Sequence, residues 1–241
     1  MALTIASGVT IDGGITAGNV PVPPDPTLML NLDAAGYTSG DWVDTVGSKA
    51  FALYNSPTWS SDGGGSFTFV PASSQYAAST TSLASLETWT VVVWHYYTGV
   101  VTGVGPCIVT EQWPSATNDI NYSVGCNLAG GSPPYLSSGY FHSTWNTTPA
   151  YTGLSANNWY QIVGTYDGTT NRLWVNTVMV ESQVSNGATP HQGANGIRLM
   201  RRWDDADYWG GKLAKVAIYD GAMSFSNITT DWNANRARFG L

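Results

Sequence analysis

Three carboxylates fall within four residues, Asp204, Asp205 and Asp207, and Trp203, Tyr208 and Trp209 bracket them. Carboxylate oxygens are hard ligands of the kind calcium takes, and flat aromatic rings stack on sugar faces. One reading is therefore a calcium-assisted glycan site. The segment departs from an EF-hand loop, which ends in a glutamate at its twelfth position. Arg198, Arg201 and Arg202 lie just before it, and surface ion pairs would absorb the same charges. Both readings stay open at this stage.

Other rings could extend a sugar-binding surface. Trp113, Tyr135 and Tyr151 lie in loops near prolines. Trp94 to Tyr97 run along one strand, and Tyr140, His142 and Trp145 lie on another. Alternation along a strand would put Trp94 with Tyr96, and Tyr140 with His142, on single faces. Those faces are either a platform for sugar rings or core and subunit packing. The glycan-binding candidates are Trp113, Trp145, Trp203, Tyr208 and Trp209, and the metal candidates are Asp204, Asp205 and Asp207.

Catalytic patterns do not assemble. The chain has three glutamates, Glu87, Glu111 and Glu181, far apart in sequence. Retaining glycoside hydrolysis needs two carboxyls about 5 Å apart across the sugar. His95, His142 and His191 are scattered, and no Gly-x-Ser-x-Gly elbow occurs. Asp33, Asp41, Asp44 and Asp167 read as turn carboxylates, Asp167 through its Asp-Gly dipeptide. The expectation is a protein without enzymatic activity.

The bulk composition narrows the partners. The 241 residues carry a net charge of −7, with only 10% charged residues. A phosphate-binding surface needs clustered Lys and Arg, so nucleic acid is excluded. No apolar run is long enough to span a bilayer, so membrane insertion is not expected. Eleven Trp and thirteen Tyr exceed what one core can hold, so some must reach a surface or an interface. Cys107 and Cys126 lie equally far from a polar loop centred near Ala116. Such residues can face each other across antiparallel strands, either as a disulfide or as two buried thiols.

The elements that must position these groups are strands. Trp159 to Asn176 reads WYQIVGTYDGTTNRLWVN: a strand, an Asp-Gly turn and a returning strand. Further strands are predicted over 28–33, 50–54, 66–70, 89–97, 105–111, 119–128, 137–143, 158–166, 170–176, 178–184, 195–203 and 211–219, with 41–44 as a loop. About a dozen short strands with no alternating helices point to an all-β, two-sheet antiparallel sandwich. One helix is expected at the end, capped by Ser224 and stopped at Gly240, with Ile228, Trp232, Asn235 and Phe239 at helical spacing.

Residues 1–20 stand apart, with short apolar pairs separated by Gly and Ser. Residues 21–26 follow with four prolines, a stiff extended spacer. This looks like a β-rich attachment arm and linker ahead of a sandwich spanning 27–241. The alternative is a poorly ordered tail.

Five segments together carry a resemblance: LMLNLD from Leu28, GSFTFVPASSQYA from Gly65, WTVVVW from Trp89, the hairpin from Trp159, and GGKLAKVAIYD from Gly210 leading into the helix. They are similar to the concanavalin A-like lectin/glucanase superfamily, in its laminin-G-like jelly-roll branch. The resemblance implies two antiparallel sheets face to face, with function on a concave face or on rim loops. Calcium on a rim loop is frequent in such domains. The catalytic branch carries Glu-x-Asp-x-x-Glu on one strand, which this chain lacks.

The Gly-rich start is similar to segments that open structural proteins of tailed bacteriophages. That resemblance implies a virion structural protein, a capsid decoration or a tail or fibre component, displaying a lectin-like sandwich. Its partners would be capsid or tail proteins bound through residues 1–26, host-surface glycans, and further copies of itself. The alternative is a free-standing carbohydrate-binding module; a glycoside hydrolase is a distant third. The N-terminus lacks the pattern of a secretion leader, so the expected location is the virion exterior after synthesis in the host cytoplasm.

Overall fold

The computed structural model of the protein describes residues 25–111, 120–127, 134–190, 196–204 and 206–241. The predicted arm, most of the linker, and Trp113, His191 and Asp205 lie outside them.

The strands follow in chain order. They are β1 (Thr27–Asp33), β2 (Trp42–Val43), β3 (Ala50–Tyr54), β4 (Thr58–Ser60), β5 (Ser66–Phe69), β6 (Tyr76–Ala78), β7 (Trp89–Val101) and β8 (Val109–Glu111). Then come β9 (Ile120–Val124), β10 (Ser138–His142), β11 (Thr144–Thr147), β12 (Asn158–Tyr166), β13 (Thr170–Val175), β14 (Val178–Val184), β15 (Ile197–Leu199) and β16 (Trp209–Asp220). The α-helix α1 (Phe225–Asn235) closes the chain with a 3₁₀ turn behind it.

Two eight-stranded antiparallel sheets form. The first runs β14-β13-β12-β7-β16-β5-β4, with β1 also paired to β16; the second runs β11-β10-β9-β8-β15-β6-β3-β2. The predicted sandwich and terminal helix are both present. The segment expected to be a loop at 41–44 contains β2, because Trp42 pairs with Phe51 and drops into the core.

Local chemistry explains the best-defined pieces. In the β12–β13 turn, Asp167 Oδ1 accepts the backbone N–H groups of Thr169 at 2.9 Å and Thr170 at 2.8 Å. Gly168 supplies the positive φ of 92° that this turn needs. The Gly-Gly pair of β16 has a steric cause. A side chain at Gly211 would sit 2.3 Å from the Tyr96 carbonyl oxygen, and one at Gly210 would sit 2.8 Å from that of Val100. Ser224 Oγ accepts the Asn227 N–H at 3.2 Å, capping α1.

The main core lies between the sheets. Leu30, Leu32, Phe67, Trp89, Val91, Val93, Tyr122, Tyr140, Ile162, Leu199 and Val216 belong to it. Its strands are read correctly by alternation, since β7 sends Val91, Val93 and Tyr97 inward and Val92 and Trp94 outward. The outward set is not bare. Ile228, Phe239 and Trp232 of the C-terminal segment lie over Val92, Trp94, Val163 and Ala217. Trp94 stacks on Phe239 at 4.5 Å and on Trp232 at 5.5 Å. Of the two readings left open for them, Trp94 and Tyr140 take the core one: the first is sealed by the helix and the second points between the sheets.

Cys107 and Cys126 form a disulfide. Val109 faces Val124 across β8 and β9, so a ladder continued two residues further brings the cysteines opposite each other.

Candidate functional site

The segment after β15 folds back as a tight turn. Arg202 N–H donates to the Asp207 carbonyl at 2.8 Å, and Trp209 N–H to that of Met200 at 2.9 Å. Asp207 Oδ2 accepts the Val104 N–H at 2.9 Å and lies 3.3 Å from Arg202 Nη1. Asp204 lies 3.0 Å from Arg202 Nε. Both described carboxylates of the predicted calcium cluster thus turn to one guanidinium. Among the described residues, no group of three His, Cys, Asp or Glu side chains is arranged to hold a metal.

The rings of this segment divide sharply. Trp209 is fully buried and its Nε1–H donates to His95 Nε2 at 3.1 Å. Trp203 is only 6% exposed, packed against Trp145 at 4.9 Å with the Arg202 guanidinium 4.9 Å from its ring. Neither offers an open ring face, which corrects their reading as glycan contacts. Trp209 is drawn in by its place on β16, and Trp203 fills the space beside the disulfide. Trp145 and Tyr208 remain half-buried, with part of each ring at the surface.

Sequence reasoning missed how these rings continue. On the outer face of the second sheet, Tyr54 of β3 stacks on Tyr76 of β6 with ring centroids 4.4 Å apart and planes 1° from parallel. The Arg201 guanidinium sits 4.1 Å from the Tyr76 ring and 5.3 Å from the Tyr208 ring, and Arg198 lies 5.7 Å from Tyr76. Tyr54 and Tyr76 are directly paired across the ladder. The signal was therefore a cross-strand pair between segments, one of them, β6, not foreseen as a strand.

The remaining ionisable groups hold the fold together. Asp33 takes Arg238 at 2.8 Å, Asp62 takes Lys212, and Asp231 lies 3.6 Å from Lys215. Asp44 accepts the N–H groups of Asn31, Val46 and Gly47. Glu111 is buried on β8 and accepts the Asn121 N–H at 3.0 Å. Glu181 lies on the edge strand β14, in the other sheet, and Glu87 lies in the loop before β7. His95 is buried with Nδ1 2.9 Å from the Lys212 carbonyl. Burial lowers its pKa to about 3, against a smaller opposing effect of that carbonyl. It is neutral at physiological pH, with both nitrogens engaged. Burial likewise pushes the Tyr140 phenol up to about 12. Neither His95 nor the Tyr140 phenol is set up as a base at neutral pH.

A cavity of about 470 Å³ opens where the β12–β13 turn meets the turn between β16 and α1. Thr88, Asp167, Arg172, Met223, Ser224 and Asn227 line it, and Asp25 and Pro26 complete one wall. Arg172 Nη1 donates to Asp167 Oδ2 at 2.6 Å. Burial alone would raise the Asp167 carboxyl, but the Arg172 guanidinium and the turn hydrogen bonds from Thr169 and Thr170 together outweigh it and hold the pKa down at about 2.

A sequence model described as the concanavalin A-like lectin/glucanases superfamily matches residues 71–229. No curated protein matches the chain significantly. Among solved structures, domain 4 of AbnA, an extracellular GH43 arabinanase from Geobacillus stearothermophilus in complex with arabinotriose, superposes with a TM-score of 0.66 at 16% identity, covering 86% of this chain and 98% of that one. The binding domain of Paraclostridial Mosquitocidal Protein 1 gives a TM-score of 0.63 at 13% identity over 86% of this chain and 52% of that one. The binding domain of botulinum neurotoxin DC in complex with SialylT gives 0.65 at 11% identity over 86% and 51%. The chain thus spans nearly all of the arabinanase domain and about half of each toxin domain.

Proposed function

We propose that this chain, which belongs to the concanavalin A-like lectin/glucanases superfamily, is a non-enzymatic glycan-binding module. In its finer form, the module is carried on the outside of a virion by its N-terminal arm. The disposition of the carboxylates carries this reading. The glutamates sit on separate elements, and Asp33, Asp62, Asp167, Asp204, Asp207 and Asp231 are each tied to a cation. Where two described carboxylates share a space, as Asp25 and Asp167 do in the 470 Å³ cavity, Asp167 is already held by Arg172 and is not free to act as half of a glycoside-hydrolysing pair. Binding needs only rings, donors and a rigid frame, and these are present. Of the predicted rings, Trp145 and Tyr208 keep partly exposed faces that could meet a sugar.

The neighbours support the binding half of the reading. The arabinanase domain holds arabinotriose and the neurotoxin domain holds SialylT. The Gly-rich arm and proline spacer support the attachment half. A free-standing carbohydrate-binding module is the second reading, favoured by the near-complete overlap with the arabinanase domain.

The test has two arms. Purified protein on a glycan array should bind at least one oligosaccharide while releasing no reducing sugar from it. Release of sugar would overturn the non-enzymatic reading. Deleting residues 1–24 should leave a folded sandwich that no longer co-sediments with particles; continued incorporation would remove the arm's role. The cut belongs at 24 because Pro26 packs against Gly221, 3.2 Å from where a side chain there would begin.

A further inference from the structure

We propose that the cavity between the β12–β13 turn and the start of α1 is a subsite for a neutral saccharide, separate from the Trp145–Tyr208 face. This rests on the lectin reading and adds where the sugar sits and what charge it carries.

The volume fits. About 470 Å³ lies within the range of small-ligand sites and suits one or two sugar rings. The walls come from four separated parts of the chain and are tied together. Gly221 N–H donates to the Thr88 carbonyl at 3.0 Å, Thr90 Oγ1 to the Gly221 carbonyl at 2.9 Å, and Met223 N–H to Thr90 Oγ1 at 2.7 Å. Asp167 is fixed by Thr169, Thr170 and Arg172. Rigid walls cut the ordering cost of binding.

The polar groups suit hydroxyls. Three of the four hydrogen bonds to Asp167 from Thr169, Thr170 and Arg172 fall on Oδ1, so Oδ2 carries a single donor, Arg172 Nη1. Oδ2 can still accept a sugar O–H. Thr88 Oγ1, Asn227 Nδ2 and the Nε and Nη2 of Arg172 have no side-chain hydrogen bond to another described residue, and all three residues line the cavity. That gives residues with a free acceptor and several free donors around one space, the chemistry a vicinal diol needs. Met223 and Pro26 supply apolar patches for the ring's C–H face.

Charge selects among sugars. Two carboxylates, Asp25 and Asp167, and one arginine line the cavity, and that arginine is already paired with Asp167. The cavity is net negative, so a carboxylated or phosphorylated sugar would be repelled. A neutral oligosaccharide is not.

The experiment prints neutral oligosaccharides, arabinotriose among them, and sialylated oligosaccharides on one array. It compares wild type with Asn227→Ala, Arg172→Ala and Val178→Ala, the last an exposed residue that lines neither place, each checked by its melting midpoint. The expected result is binding to neutral glycans only, weakened tenfold or more in Asn227→Ala and Arg172→Ala and unchanged in Val178→Ala. If Arg172→Ala proves unstable, Thr88→Val replaces it. Binding that survives both cavity variants, or that is confined to sialylated glycans, overturns the subsite and leaves the lectin reading standing. No glycan bound by the wild type overturns both.

Discussion

The outward faces of the two sheets use aromatic residues in opposite ways. On the first sheet, Trp94, Trp232 and Phe239 stack on one another beneath and within the C-terminal segment, and Trp94 has no exposed surface. Polar atoms there are neutral or closed off: Trp94 Nε1–H and Gln161 Nε2–H both donate to Asp231. On the second sheet, rings alternate with guanidinia. Tyr54, Tyr76, Arg201 and Tyr208 form one ladder, and Arg202, Trp203, Trp145 and Phe141 another. Arginine over a ring satisfies the quadrupole while keeping its charge, so such a face can stay near water. The helix-covered face carries fewer charges among its rings, Arg238 5.1 Å from Phe239 and Lys215 3.6 Å from Asp231, and seals Trp94 completely. The same residue types therefore close one side of the molecule and furnish the other.

The largest expected effect sets that charged face against the interior, where the first sheet keeps His95 neutral on the same side of β7 as Val93 and Tyr97. Its folded pKa is about 3, against about 6.5 for an ordinary histidine. Below pH 6.5 the unfolded chain binds a proton that the folded one refuses, so stability must fall as pH drops from 6.5 toward 3 and level off below. The slope is about 1.4 kcal/mol per pH unit, for a total of roughly 4–5 kcal/mol. Urea unfolding between pH 6.5 and 4.5 isolates the imidazole from the carboxylates. A flat profile there, or one unchanged in His95→Gln, would mean that the first sheet tolerates a buried charge after all.

The next test sets one tryptophan against another. Trp94→Ala should cost about 3–5 kcal/mol, because it opens a cavity under α1 and leaves Asp231 without one donor. Trp145→Ala, on the half-buried face of the second sheet, should cost about 1–2 kcal/mol. Denaturant midpoints at one pH decide it. Equal losses would erase the distinction between a closed face and an open one.

Third comes the disulfide, which belongs to the second sheet alone. Its two cysteines are 19 residues apart in sequence. Replacing both with alanine should cost about 3 kcal/mol by releasing the unfolded chain from a closed loop. The loss should appear as a lower thermal midpoint for the oxidised wild type treated with reductant as well. A negligible change would show that packing of Trp203, Ile120 and Phe141 holds this region without the bond.

How much of this was readable depends on how local the cause is. The β12–β13 hairpin, the cap at Ser224 and the stop at Gly240 were legible because each is set within a few residues, by an Asp-Gly turn, a serine hydroxyl and a positive φ. The strands Trp42–Val43, Thr58–Ser60, Tyr76–Ala78 and Thr144–Thr147 were not. They are two to four residues long, and neighbours distant in sequence define them. The site suffered the same way. Trp203 and Trp209 flank an acidic run that looks exposed, yet both rings are buried, one against the disulfide and one against His95. The cavity draws on Thr88, Asp167 and Asn227, and only a turn signal at Asp167 marked any of them beforehand.

The smallest expected effect probes the open face most directly. Tyr54 is 40% exposed, and its described ring contact is the stack on Tyr76. Removing the ring in Tyr54→Ala forfeits one aromatic stack and part of a ring's burial, about 1 kcal/mol. Removing Tyr76 should cost more, because Arg198 and Arg201 both rest on that ring. A double-mutant cycle between Tyr54 and Tyr76, read from urea midpoints, should return a coupling of about 0.5–1.5 kcal/mol. A coupling well above that would place Tyr54 among the residues that hold the sheet together. A coupling near zero would mean that the stacked pair adds nothing to stability, and that the ladder's order comes from the arginines alone.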